Sequence, residues 1–192
     1  MTEHLGRTVA LGVAGLVVVV LLVASAAAGG IAGSLTGSLG SPASASPTTI
    51  PPAYLTVYIE ASATCTGLSW SVLAAIGTIE SDNGTSTAPG VQSGQNEAGA
   101  EGPMQFEPAT FAEYAEPVPP GGADPPSPYD ATDAIYAAAR LLCANGAAGG
   151  ADLPSAVYSY NHSASYVADV LALAHAYANA AAASGPTGSP SG

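Results

Sequence analysis

The stretch IGTIESDNGT, residues 76–85, ends an apolar run on a carboxylate, Glu80, in a chain of which only 8% is charged. Leu68, Val72, Ile76 and Ile79 recur at helical spacing, which predicts a helix over 68–82 with Thr66 as its N-cap. Asn83-Gly84 is the expected stop, because glycine enters the left-handed conformation at little steric cost. On this helix Glu80 shares a face with Leu73 and Ile76, and Gly77 is expected to leave open space beside it. Apolar neighbours and the negative end of the helix dipole both raise the pKa of its carboxyl. A carboxylic acid still protonated near neutral pH suits the proton donor in glycoside cleavage. Helix geometry alone is met better by a solvated helix-end glutamate, so other residues have to decide.

Working outwards, the sequence reads as one mainly helical domain over 53–184. After a Gly-rich stretch comes a short helix near 109–115. PVPPGGADPPSP, residues 117–128, is an extended loop, since its prolines cannot continue a helix. Asp130 caps the helix DATDAIYAAARLLCANG, with Asp133 placed as in a capping box and Gly146 as the stop. Further helices are expected over 154–160 and 165–182. YLTVYI, residues 54–59, carries the one strand signal.

The chain has 14 acidic residues against two basic ones, Arg7 and Arg140, for a formal net charge of −12. A nucleic-acid binder must neutralise phosphates with clustered Lys and Arg, so this balance argues against one, and equally against an acidic-lipid patch. Residues 8–28, TVALGVAGLVVVVLLVASAAA, form an uncharged run of 21 residues. As a helix it would reach roughly 31 Å, close to the bilayer core and longer than a secretory h-region. We read it as a transmembrane signal anchor, with cleavage near residues 24–26 as the alternative. Arg7 before the span puts residues 1–7 in the cytoplasm and everything beyond outside, tethered to the cell membrane, or secreted after cleavage. Residues 29–52 are a Gly/Ser/Ala/Pro-rich linker and residues 185–192 a tail of the same composition. In an oxidising compartment the two cysteines, Cys65 and Cys143, are expected to form a disulfide. No metal site is expected, because two Cys and three scattered His offer no familiar ligand spacing.

Two further stretches settle the reading of Glu80: GPMQFEPATF, residues 102–111, and YNHSASYV, residues 160–167. A helix ending in Glu80-Ser81, then Gly102-Pro103-Met104-Gln105-Phe106, then Tyr160-Asn161 ahead of a final helix, resembles the lytic transglycosylases. These are the soluble-lytic-transglycosylase domains related to goose-type lysozyme. Each motif alone is weak, whereas their order over roughly 65–175 is specific.

The resemblance implies a lysozyme-like helical domain with a groove for peptidoglycan glycan strands. It implies cleavage of the β-1,4 bond between N-acetylmuramic acid and N-acetylglucosamine, leaving a 1,6-anhydro end. Glu80 would be the single general acid and base, with no cofactor and no second carboxylate. Tyr160 would orient Glu80 or the substrate through its hydroxyl. Ser81, Met104, Gln105 and Asn161 would be substrate-binding, with the amides on the sugars and Met104 as apolar groove wall. For Ser81 the alternative is that it only holds the helix end. Phe106 reads as core. Pro103 departs from the more usual Leu of that loop, and the residues between Glu80 and Gly102 are hard to align, which leaves Ser86 and Ser93 without a role. Two alternatives stand beside this reading: a true lysozyme, with Asp82, Glu97 or Glu101 positioning a water, and a non-catalytic wall-binding or scaffold protein of an envelope apparatus.

Overall fold

The computed structural model describes residues 49–184; the expected span over 8–28, most of the linker and the tail lie outside the described residues. Among the described residues six α-helices follow one another: α1 Pro52–Ser62, α2 Trp70–Ser81, α3 Pro108–Tyr114, α4 Ala131–Leu142, α5 Leu153–Asn161 and α6 Ala164–Ala183. Among the described residues the one β pairing is an isolated antiparallel bridge between Glu101 and Phe106, and no helix is long and apolar enough to cross a membrane.

Helix α2 is the centre of the domain. Every residue from Ser71 to Gly77 is buried, and the helix packs against α1 and α6. A helix apolar all round belongs inside a core, so the expected one-sided face is only half right: Val72 and Ile76 are buried, but Ile79 is 36% exposed and Leu68 precedes the helix. The N-cap is Ser69, not Thr66; its hydroxyl accepts from the Ser71 amide at 3.3 Å. At the other end Asp82, Asn83 and Gly84 all take positive φ (52°, 54° and 75°). Three left-handed residues in succession stop the helix one turn after Gly77 and turn the chain away from Glu80, one residue earlier than the Asn83-Gly84 stop.

Residues 54–59, where the one strand signal lies, are helix, in keeping with the mainly helical reading. β-branched and aromatic residues favour strands only where a sheet exists to bury them. As helix α1 the segment buries Tyr58, Ala61 and Ser62 against α2 and α4, leaves Ile59 outside, and begins with Pro52, whose missing N–H costs nothing at that position.

Helix α4 is capped by Asp130, which accepts from the amides of Thr132 (2.9 Å) and Asp133 (3.1 Å). The reciprocal half of the capping box is absent. Fully buried Asp133 turns to the extended loop, and its Oδ2 accepts from the amides of Ala123 (3.1 Å) and Ser127 (2.9 Å). The amides of Ala123 and Ser127 in the loop need acceptors, and the Asp133 side chain supplies one for both. Arg140 donates to the carbonyls of Tyr114, Ala115 and Pro117, fixing the end of α3. The helix ends at Leu142 and passes through a π-type turn, Cys143–Ala147, in which Gly146 has φ 122°. Cys143 is bonded to Cys65 across 78 residues, which ties this end of α4 to the segment between α1 and α2.

Candidate active site

Glu80 lies in the last turn of α2, and the residues around it hold that turn in place. Gly77, one turn earlier, packs against the Tyr58 hydroxyl and lies near Met104 Sδ, so the open space expected beside Glu80 is filled. The Tyr58 hydroxyl donates to Asn83 Oδ1 at 2.9 Å, and Asn83 Nδ2 donates to Thr78 Oγ1 at 3.1 Å. Thr78 gives its one proton to the Ala74 carbonyl (2.8 Å), so the Tyr177 hydroxyl is the donor in their 2.9 Å contact. This network joins α1, α2 and α6 through polar side chains that are nearly all buried, and buried polar groups with full partners rigidify what they join.

Ser81 is 2% exposed. Its hydroxyl donates to the Pro103 carbonyl (2.6 Å) and accepts from the Gly84 amide (2.8 Å). It therefore fastens the helix end to the 102–106 turn and does not face a substrate. Pro103 keeps the carbonyl this bond needs. The turn itself closes a short hairpin in which Glu101 and Phe106 exchange two backbone bonds of 2.9 Å. Its corners are Gly102 (φ 74°) and Gln105 (φ 50°). Met104 is fully buried, so it is core and not groove wall. Phe106 is core as expected, edge-on to Phe111 and Tyr160.

Gln105 is only partly free for sugars. Its Nε2 donates to the Gly102 carbonyl (2.7 Å) and its Oε1 accepts from Asn96 Nδ2 (2.9 Å), bonds that brace the turn against the 84–101 segment. One edge still borders a small cavity of about 70 Å³ shared with Thr110, Ser159, Tyr160 and His162. Asn161, 7% exposed at the end of α5, forms no side-chain hydrogen bond among the described residues, and its amide is free to receive a ligand.

Tyr160 does not hold Glu80. Its hydroxyl donates to the Met104 carbonyl at 2.8 Å, tying α5 to the hairpin turn. The bond to Glu80 Oε1 comes from Tyr166, at 2.5 Å. Tyr166 stands in the stretch YNHSASYV but outside the Tyr-Asn dipeptide. The local fold explains its place. His162 takes the left-handed conformation (φ 54°) and ends α5, and Ser163 caps α6 by accepting from the Tyr166 amide. This two-residue corner lays the Tyr160 and Tyr166 rings parallel, with an interplanar angle of 4° and centroids 6.4 Å apart. An N-cap serine followed three residues later by an aromatic was the sequence signal available for it.

The electrostatics follow from this enclosure. Glu80 keeps an exposed edge, but its carboxyl lies among apolar and phenolic groups, and desolvation raises its pKa from 4.5 to about 7; the Tyr166 hydrogen bond opposes that rise. Burial, and then the Glu80 charge, push the Tyr160 and Tyr166 phenols well above their ordinary value, so both remain neutral donors. A carboxyl poised near 7 can give up a proton and take it back in one catalytic cycle.

Residues 57–182 match the family model for the transglycosylase SLT domain. Comparison with curated proteins and with solved structures returns no match. The match covers 126 of the 192 residues and spans α2, the hairpin turn and the α5–α6 corner. The chain belongs to the transglycosylase SLT domain family and is a peptidoglycan lytic transglycosylase with a lysozyme-like helical fold.

Proposed function

We propose that Glu80 is the single general acid and base of this reaction, and the observation that carries the reading is its place in the last turn of α2, where its carboxyl accepts from the Tyr166 hydroxyl and desolvation raises its pKa to about 7. Protonated Glu80 gives its proton to the oxygen bridging C1 of N-acetylmuramic acid and C4 of the next N-acetylglucosamine, and the C1–O bond breaks. The C6 hydroxyl of the same muramoyl residue attacks C1, and its proton passes to Glu80. A 1,6-anhydro ring closes, no water is consumed, and Glu80 ends protonated as it began. The attacking oxygen belongs to the substrate, so the paired carboxylates of ordinary glycosidases are not required. Asn161, with its unpartnered amide, and the free edge of Gln105 are the groups we assign to the sugar N-acetyl and hydroxyl groups.

Digestion of purified peptidoglycan in ¹⁸O-water tests this. Anhydro ends without label are expected; labelled reducing ends would identify a hydrolase, and intact glycan a binder. We further propose that residues 8–28 anchor the enzyme in the cell membrane with the domain outside, a reading supported by the length of that apolar run and by a disulfide suited to an oxidising compartment.

A further inference from the structure

The cavity of about 70 Å³ beside Gln105 and Tyr160 has no part in the proton transfers at Glu80. It has room for a few waters, so it can take a group of a few heavy atoms but not a sugar ring. Phe106, Tyr160 and Leu141 give it apolar walls, and Glu107, Thr110 and Ser159 supply polar groups. The Ser159 hydroxyl gives its proton to the Ala156 carbonyl (2.7 Å), so toward the cavity it can only accept. Glu107 precedes α3 without capping it through its side chain. Neither its carboxylate nor the Thr110 hydroxyl is bonded to a protein group among the described residues. Arg140, the one Lys or Arg among the described residues, is committed to the carbonyls of Tyr114, Ala115 and Pro117, which leaves Glu107 without a cationic partner.

We propose that this cavity binds a primary ammonium group carried on a short branch of the glycan: the side-chain amine of a diamino acid in the peptide attached to the muramoyl lactyl group. An ammonium has three donors and no acceptor, which suits a cavity that offers an unbonded carboxylate and two hydroxyl oxygens. The methylenes leading to it lie along the apolar walls while the charged head meets Glu107. A chain of net charge −12 attracts cations to its surface, which favours the amine over the carboxylates of the same peptide. The inference rests on the reading of Glu80 as the acid and base. Gln105, assigned to the sugars, borders the cavity, and Tyr160 is the ring next to Tyr166, which bonds Glu80. A branch of a glycan bound there starts beside the cavity, and two or three extended peptide residues add a reach of roughly 7–11 Å.

Three soluble substrates test this by release of 1,6-anhydro ends: strands whose stem peptides carry a free amine, the same strands N-acetylated at that amine, and strands stripped of peptide. For the wild-type enzyme KM is expected to be about 5- to 10-fold lower on free-amine than on acetylated strands, with kcat within twofold, as suits a charge-assisted bond to a partly exposed carboxylate. Glu107→Gln keeps the size of the side chain and removes its charge, and is expected to bring that KM ratio to within twofold of one. Thr110→Val is expected to shrink the ratio less. Added n-butylamine is expected to leave turnover of peptide-free strands unaltered; a changed rate would assign the cavity to a free cation and overturn the stem-peptide assignment. Equal wild-type KM on free-amine and acetylated strands, or a ratio that survives in Glu107→Gln, would overturn the proposal and leave Glu80 as the acid. Retained release of anhydro ends by Glu80→Gln would overturn instead the reading on which the inference rests.

Discussion

Replacing Glu80 by Gln is expected to stabilise the domain in a manner that depends on pH. The folded carboxyl titrates near 7 against an ordinary value of 4.5, because desolvation disfavours its charge. Between those two pH values the folded state binds more protons than the unfolded state, so this group lowers stability as pH rises from about 4.5 and has its full effect above 7. The difference corresponds to about 3 kcal/mol by the usual conversion of 1.36 kcal/mol for each pH unit. The substituted glutamine side chain carries no charge and can still accept from the Tyr166 hydroxyl, so the variant escapes the cost without leaving a buried donor unpaired. For a domain of this size, 1 kcal/mol moves Tm by roughly 3–5 °C, so the variant is expected to melt about 10 °C above wild type at pH 8. At pH 4 both side chains are neutral and the two melting curves are expected to coincide. Thermal unfolding followed by circular dichroism from pH 4 to 9 measures this. A constant offset across that range, or a variant less stable at pH 8, would refute the claim that Glu80 is held in a desolvating site.

Other perturbations test the frame around the acid. Cys143→Ser opens a loop closed across 78 residues and is expected to cost about 4–5 kcal/mol in the chain-entropy account; an unchanged Tm under non-reducing conditions would contradict it. Gly77→Ala would drive a methyl into the Tyr58 hydroxyl and close to Met104 Sδ, breaking the bond to Asn83, with an expected loss of about 1–3 kcal/mol in denaturant unfolding. If that variant unfolds like wild type, α2 and α1 do not pack as described. The full-length protein is expected to stay with membranes through carbonate washing, and a species beginning near residue 27 in the culture medium would show cleavage instead.

The sequence made some of this legible and hid the rest for physical reasons. Some short-range signals held: a helix that ends at Glu80-Ser81, Asp130 as the cap of α4 and the prolines of the 117–128 loop, whereas the N-cap of α2 is Ser69 and not Thr66 and α4 ends at Leu142, before Gly146. What failed depended on partners far along the chain. YLTVYI looks like a strand until its burial against α2 and α4 is known. Gly77 looks like open space until Tyr58, 19 positions earlier, is seen to occupy it. Met104 and Ser81 lie in motifs that suggested substrate contacts, yet burial makes one core and the other a fastener between helix and turn. Tyr166 was passed over for Tyr160 because the dipeptide Tyr-Asn marks the site in sequence, whereas the α5–α6 corner decides which of two stacked phenols reaches the carboxylate. Asn83 read simply as a helix stop, while its side chain, between Tyr58 and Thr78, is a central member of the buried network.

The central claim is that one carboxyl, that of Glu80, carries both proton transfers. Its most direct test is the rate at which Glu80→Gln releases anhydromuropeptides from purified peptidoglycan, with folding verified by the melting curves above. General acid–base catalysis contributes about 10²–10⁴-fold, so release is expected to fall by at least that factor in a protein as stable as wild type or more so. Release of 1,6-anhydro ends at a rate near wild type would contradict the account.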